Sequence, residues 1–141
     1  MASFKSFSFQ NVNFIVGGLE ITGWAEGDDV LTITPMNPQW NSIAGAKGDV
    51  VRSQSSDHRV NVTAKILQSS VSNAEMTALY NIDKLTGAGS FPAVASDKET
   101  GELFVFSQLW FTQYATITRG QNVNTMEWQF EGASMIANIS K

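Results

Sequence analysis

Apolar and polar residues alternate with a period of two over most of this chain. Phe7 and Phe9 alternate with serines, and Val12, Phe14 and Val16 alternate with Asn13 and Ile15. That period is the mark of a strand with one face buried. The phase slips at Gln10–Asn11, which predicts a β-bulge. Gly17–Gly18 predicts a tight hairpin, because a type I′ turn needs positive φ at both central residues. Leu19 to Trp24 reads as the returning strand. Gly27-Asp28-Asp29 reads as a second turn, leading into the β-branched run Val30 to Thr34. Arg59 to Gln68 alternates again: Val60, Val62, Ala64 and Ile66 face one way, and Arg59, Asn61, Thr63 and Lys65 the other. Further strands are expected at 91–95, 102–108, 110–119, 123–131 and 135–139, with Gly101 and Gly120 in turns. On 123–131, Met126, Trp128 and Phe130 share one face, and Thr125, Glu127, Gln129 and Glu131 the other. On 110–119, Thr112, Tyr114, Thr116 and Thr118 form a polar face without charge.

Two segments break the alternation. Residues 35–58 carry Pro, Asn, Gly and Ser throughout, with one short apolar patch at Val50–Val51. They read as a long irregular loop, and loops of that length in compact domains are usually functional. Trp40 lies in it with no evident core to enter, and loop-borne aromatics are favoured interface anchors. The second segment predicts a helix. Ser72 is a candidate N-cap, with Glu75 three residues on completing a capping box. Val71, Ala74, Ala78, Leu79, Ile82 and Leu85 form one apolar stripe at helical spacing, and Gly87 is a C-terminal stop. About eight strands and one helix predict a mainly β fold, a β-barrel or β-sandwich with one flanking α-helix.

Composition narrows the function. The 141 residues fit one domain, 1–141, with an N-terminal arm at about 1–6 and the irregular loop at about 35–58. Only 16% of residues are charged, yet the chain has 15 Ser, 11 Thr, 10 Asn and 8 Gln. A surface made polar without charge is cheap to desolvate, which favours extensive protein–protein contact. There is no cysteine, so no disulfide framework, thiolate nucleophile or cysteine zinc site. His58 is the single histidine, which removes multi-histidine metal sites. A net charge of −4 disfavours binding to a phosphate backbone. The start lacks the basic and apolar regions of a signal peptide, and no apolar run is long enough to span a membrane. A soluble product made in a cytosol, with no membrane insertion, is expected.

Candidate chemistry is sparse. Gly27-Asp28-Asp29 offers paired carboxylates to a metal, but Gly and Asp are the ordinary residues of a turn. His58 lies near Ser53, Ser55, Ser56 and Asp57, with no nucleophile-elbow motif around any of them. Gly45-Ala46-Lys47-Gly48 and Gly87-Ala88-Gly89 lack phosphate-loop spacing. No catalytic residue, metal site or cofactor is expected. A small hydrolase using His58 with Ser56 or Asp57 would lose its activity in His58→Ala. A carbohydrate-binding β-sandwich would expose Trp24, Trp40 or Trp110 on one flat face of a monomer.

An ordered series of features carries a resemblance. It comprises Gly23-Trp24-Ala25-Glu26-Gly27-Asp28, the Gly48-Asp49 and Arg52-Ser53 loop, and the Arg59-to-Leu67 strand. The Gln68-Ser69-Ser70 to Ser72-Asn73 helix start and the "ALYNID" helix end complete it. From about Phe9 to about Ala133 the chain resembles the small tail tube proteins of contractile-tailed phages. The segment "TPMNPQW" departs from the more charged loop of that family. The resemblance implies a tail-tube-like fold, a barrel or sandwich with one flanking helix, and no enzymatic activity. It implies homohexameric rings stacked into the inner tube of a virion's contractile tail, assembled in the host bacterial cytoplasm. Implied partners are further copies of the chain and the sheath, baseplate and tape-measure proteins. Double-stranded DNA would pass through the lumen, into the host, without specific binding. On that reading Glu127 and Glu131 are expected to face the lumen. Met36, Trp40, Asp49 and Arg52 are expected to serve ring stacking, aided by the arm Met1–Ser6. Tubes of tailocins or of type VI-like secretion systems are the alternatives within the class.

Overall fold

The computed structural model describes residues 6–140. The chain runs through β1 (Val12–Val16), β2 (Leu19–Glu20), β3 (Leu31–Pro35), β4 (Trp40–Ala44), β5 (Val50–Gln54) and β6 (Val60–Leu67). Helix α1 (Ser72–Thr86) follows, then β7 (Phe91–Asp97), β8 (Glu102–Ile117), β9 (Thr125–Gly132) and β10 (Ile136–Ile139). The main sheet has the order β2-β1-β7-β8-β9-β6-β3, and β10 also pairs with β8. All of its pairings are antiparallel.

The 16-residue strand β8 belongs to two layers at once. Its first half pairs with β7 and β10, and its second half with β9. One layer is therefore β2-β1-β7-β8-β10, and the other is β8-β9-β6-β3. Phe14 of β1 meets Phe130 of β9 edge-on, with ring centroids 6.0 Å apart, so the layers face each other across an aromatic core. Residues 19–25 then join the two open edges. Leu19 and Glu20 pair with β1, and Ile21 N–H donates to Phe14 O. Further along, Leu67 N–H donates to Gly23 O, Ala25 N–H donates to Lys65 O, and Trp24 bridges Ile66. Closing a sheet this way removes edges that would otherwise pair with other chains. The expected barrel or sandwich is thus one sheet folded into two layers and closed at one end.

The core follows the period-two pattern. Val60, Val62, Ala64 and Ile66 of β6 are buried opposite Gly132, Phe130, Trp128 and Met126 of β9. Gly17 and Gly18 take φ of 57° and 85°, the two positive values the two-residue hairpin requires. Gly87 ends α1 in the left-handed conformation, its N–H donating to Asp83 O.

Several expectations are corrected. The N-terminal alternation and bulge are a 3-10 turn, Phe9–Asn11, capped by Ser8. The returning strand follows β1 only over residues 19–21, because the chain then leaves β1 for β6. The expected strands 102–108 and 110–119 are the single strand β8. Its pairing with β9 shifts register between Phe111 and Gln113 and between Gln113 and Thr116. Those irregularities break the expected uncharged face: Tyr114 turns inward, 5.1 Å from Trp128 and stacked 5.3 Å from Tyr80. Residues 35–58 are not irregular throughout, since they hold the hairpin β4–β5.

Helix α1 departs furthest from expectation. Val71 is its N-cap residue, with no side-chain cap, so the Ser72–Glu75 capping box does not form. Ser72 is instead buried, and its Oγ accepts from Thr22 N–H at 2.9 Å. The buried face is Ser72, Asn73 and Met76, with Leu79 and Tyr80 packed against the core. Of the expected apolar stripe, Val71, Ile82 and Leu85 stand in solvent, Leu85 at 87% exposure. The helix rotates this way because Asn73 reaches Trp128 and Thr77 reaches the Tyr114 hydroxyl. No described helix is long and apolar enough to cross a membrane. The arm 1–6 lies almost wholly outside the described residues.

Candidate assembly interface

The hairpin β4–β5 forms a two-stranded sheet separate from the main one, and every residue of both strands is exposed. Its register puts Trp40, Arg52 and Val50 on one face and Ile43 and Val51 on the other. Ile43 and Val50 are 72% and 70% exposed. The Arg52 guanidinium lies over the Trp40 ring, 3.8 Å from its centroid, a cation–π contact. A lone two-stranded hairpin is marginally stable in water and gains by packing against something. This one has apolar side chains on both faces and nothing of its own chain, among the described residues, covering them.

The hairpin springs from a polar root. Asp57 accepts from Arg59 Nε, Nη2 and backbone N–H and from Asn37 Nδ2. The Arg59 side-chain and backbone donors hold the Asp57 carboxyl down to about 2. Arg59 Nη1 also reaches Glu131 Oε1 at 3.3 Å across the β6–β9 pair. Of the residues expected to serve stacking, Trp40 and Arg52 come into contact on the hairpin. Met36 lies at the root, its N–H donating to Arg59 O. Asp49 closes the turn, its carbonyl accepting from Gly45 N–H.

Glu127 and Glu131 lie half-buried on the outward face of β9. Across from them on β6 and β3 stand Asn61, Thr63, Thr32 and Thr34, and on β8 Gln113 and Thr116. The face is acidic but not bare. Lys65 sits directly opposite Glu127 and donates to Asp29 Oδ2 at 2.9 Å. That hydrogen bond, with a smaller pull from Glu127, holds the Lys65 amine above its ordinary pKa. Two cations, Arg59 and Lys65, are thus each tied to carboxylates. The outward face of the other layer differs. Ile15, Val94, Val105 and Ile136 line up across β1, β7, β8 and β10 as one row of branched apolar side chains.

Among the described residues, the groups named for the competing chemistries stand apart. His58 is exposed, and the carboxylate beside it is taken up by Arg59 and Asn37. Trp24, Trp40 and Trp110 sit on three separate elements, and Trp24 packs on Phe9 and Phe14. Among the described residues no group of three or more His, Asp or Glu gathers to hold a metal ion. Asp29 of the Gly27-Asp28-Asp29 turn is instead the partner of Lys65. Sequence reasoning missed Ile43 and the apolar row across the sheet. Val50–Val51 stood out as a patch, but a strand exposed on both faces has no alternation to reveal it. The row depends on register between four strands.

No curated sequence matches the chain. Among solved structures, the chain is similar to the sheath/tube terminator of the extracellular contractile injection system PVC in its extended state. The TM-score is 0.72 at 10% identity, covering 97% of this chain and 99% of that one. It is similar to the anti-feeding prophage tube-terminating cap, with a TM-score of 0.65 at 9% identity, covering 99% and 95%. It is also similar to a chain of the PVC sheath–tube complex, with a TM-score of 0.65 at 11% identity, covering 96% and 93%. These likenesses establish the fold. Residues 4–139 match the family described as Bacteriophage PhiTE tail tube protein, whose members are structural tail components, and this chain belongs to that family.

Proposed function

We propose that the protein is the inner-tube subunit of a contractile phage tail, closing into sixfold rings that stack into a hollow tube. The match to the tail tube family over residues 4–139 carries the reading. The surface supports it physically. A β-rich chain that leaves a hairpin, a helix stripe and a sheet row apolar and exposed is built to be covered. A head-to-tail contact that closes gives a ring, and rings that stack give a filament. The whole chain, 1–141, would act as one domain. The outward face of β9, with Glu127 and Glu131, lines the lumen on this reading. Arg59 and Lys65 there are already engaged by carboxylates, so the face offers phosphates little to hold, and double-stranded DNA slides through. Stacking falls to Met36, Trp40, Asp49 and Arg52. Sheath, baseplate and tape-measure proteins are the other partners, and the product resides in the virion tail after assembly in the host cytoplasm. No catalytic or cofactor role is part of the proposal.

Negative-stain electron microscopy of wild type and Trp40→Ala tests this. Wild type is expected to form hollow tubes, and Trp40→Ala rings that no longer stack. A second reading, a ring that terminates a tube, draws on the terminator structure with the TM-score of 0.72. It predicts single rings from wild type at every concentration.

A further inference from the structure

A cleft of about 520 Å³ opens between the two layers, beyond the closure at residues 19–25 along the same edge of the sheet. There β3 pairs with β6 alone and stands apart from β1 and β7. Leu31 and Ile33 form one wall, Phe104 and Ala95 the other, and Phe9 and Met135 line it further. Three carboxylates mark it: Asp28, Asp97 and Glu102. Asp97 is only 3% exposed, and one of its oxygens accepts from Glu99 N–H. Among the described residues none of the three is in an ion pair.

We propose that this cleft is the seat for the β4–β5 hairpin end of a second copy of the chain. Chemistry on the two surfaces is complementary. The cleft is apolar with acidic groups only. The hairpin carries Ile43, Val50 and Val51 beside a turn, Gly45–Gly48, that presents Lys47, with Arg52 further down. Apolar side chains enter between the layers, and the Lys47 ammonium meets Asp28 and Glu102. The hairpin stands off its own barrel and the cleft lies within the barrel, so the contact is heterologous. Such a contact repeats from copy to copy without exhausting either surface. The inference rests on the tube reading and adds the acceptor site which that reading lacks.

The chain has no cysteine, so single cysteines can be placed cleanly. Lys47→Cys and Asp28→Cys, both at exposed positions, are purified separately, mixed, allowed to assemble and treated with a short bismaleimide. The expected result is a covalent dimer from the mixture and none from either variant alone. Charge reversal gives the second arm. Lys47→Glu and Asp28→Lys are each expected to lose assembly, and mixing them to restore it in part, because positions 47 and 28 of alternating copies then carry opposite charges while Glu102 is unchanged. Wild-type tubes with no dimer in the mixture, and reversal variants that assemble like wild type, would overturn the seat and leave the tube reading standing. Wild type that forms neither rings nor tubes overturns the tube reading, and the seat with it.

Discussion

Asn73 holds three groups with one side chain. Its Nδ2 donates to Leu67 O and Gln68 O, and its Oδ1 accepts from Trp128 Nε1–H at 2.9 Å. Trp128 is fully buried, so Asn73→Ala leaves an indole N–H without an acceptor inside the core. The cost is about 1–3 kcal/mol, read as a lower urea midpoint. Asp57 is the other residue with a definite signature. Donors from Arg59 hold its carboxyl at about 2 instead of the ordinary 3.8. A lowered pKa adds stability that is complete above 3.8 and is lost as pH falls through about 2. The hairpin root should therefore open over that acid window. Amide protection at Arg59 is expected to fall while that of core strands β6 and β9 persists, as hydrogen exchange at stepped pH would show. The sequence placed Trp128 on the buried face of its strand from alternation alone. Its partner was illegible, because Asn73 lies 55 residues away and reads locally as the second residue of a helix.

At the scale of elements, period-two strands were legible wherever one face meets the core, as in β6 and β9. Strands with no buried face were not, and β4–β5 passed for a loop. The helix was legible in extent but not in orientation. Its most continuous apolar stripe faces out, and the polar residues Ser72 and Asn73 face in, because they satisfy Thr22 N–H and Trp128 Nε1–H. Two substitutions separate the orientations. Met76→Ala, at a fully buried position, is expected to cost about 2–5 kcal/mol. Leu85→Ala, near the helix end, is expected to stay within about 0.5 kcal/mol for the monomer. Thermal melts of the dispersed protein check both, and a large effect at Leu85 with none at Met76 would reverse the assignment.

For the whole molecule, the polar and apolar surfaces fall on different sides. One layer turns Glu127, Gln129 and Glu131 outward among threonines, and the other turns out the row Ile15–Val94–Val105–Ile136. The low charge content hinted at contact surfaces but could not locate them, since location depends on register and on where the sheet bends at β8. Glu127 and Glu131 were legible as outward-facing. The Glu131–Arg59 ion pair and the placement of Lys65 opposite Glu127 were not, as they join segments distant in sequence. On the proposed function, copies of this chain form a tube with that polar face inward. The most direct measurement is a cryo-EM reconstruction of assemblies grown from purified protein. Stacked sixfold rings with Glu127 and Glu131 on the channel wall are the expected result. Particles that stay monomeric at every concentration, or rings that carry these two residues on their outer surface, would contradict it.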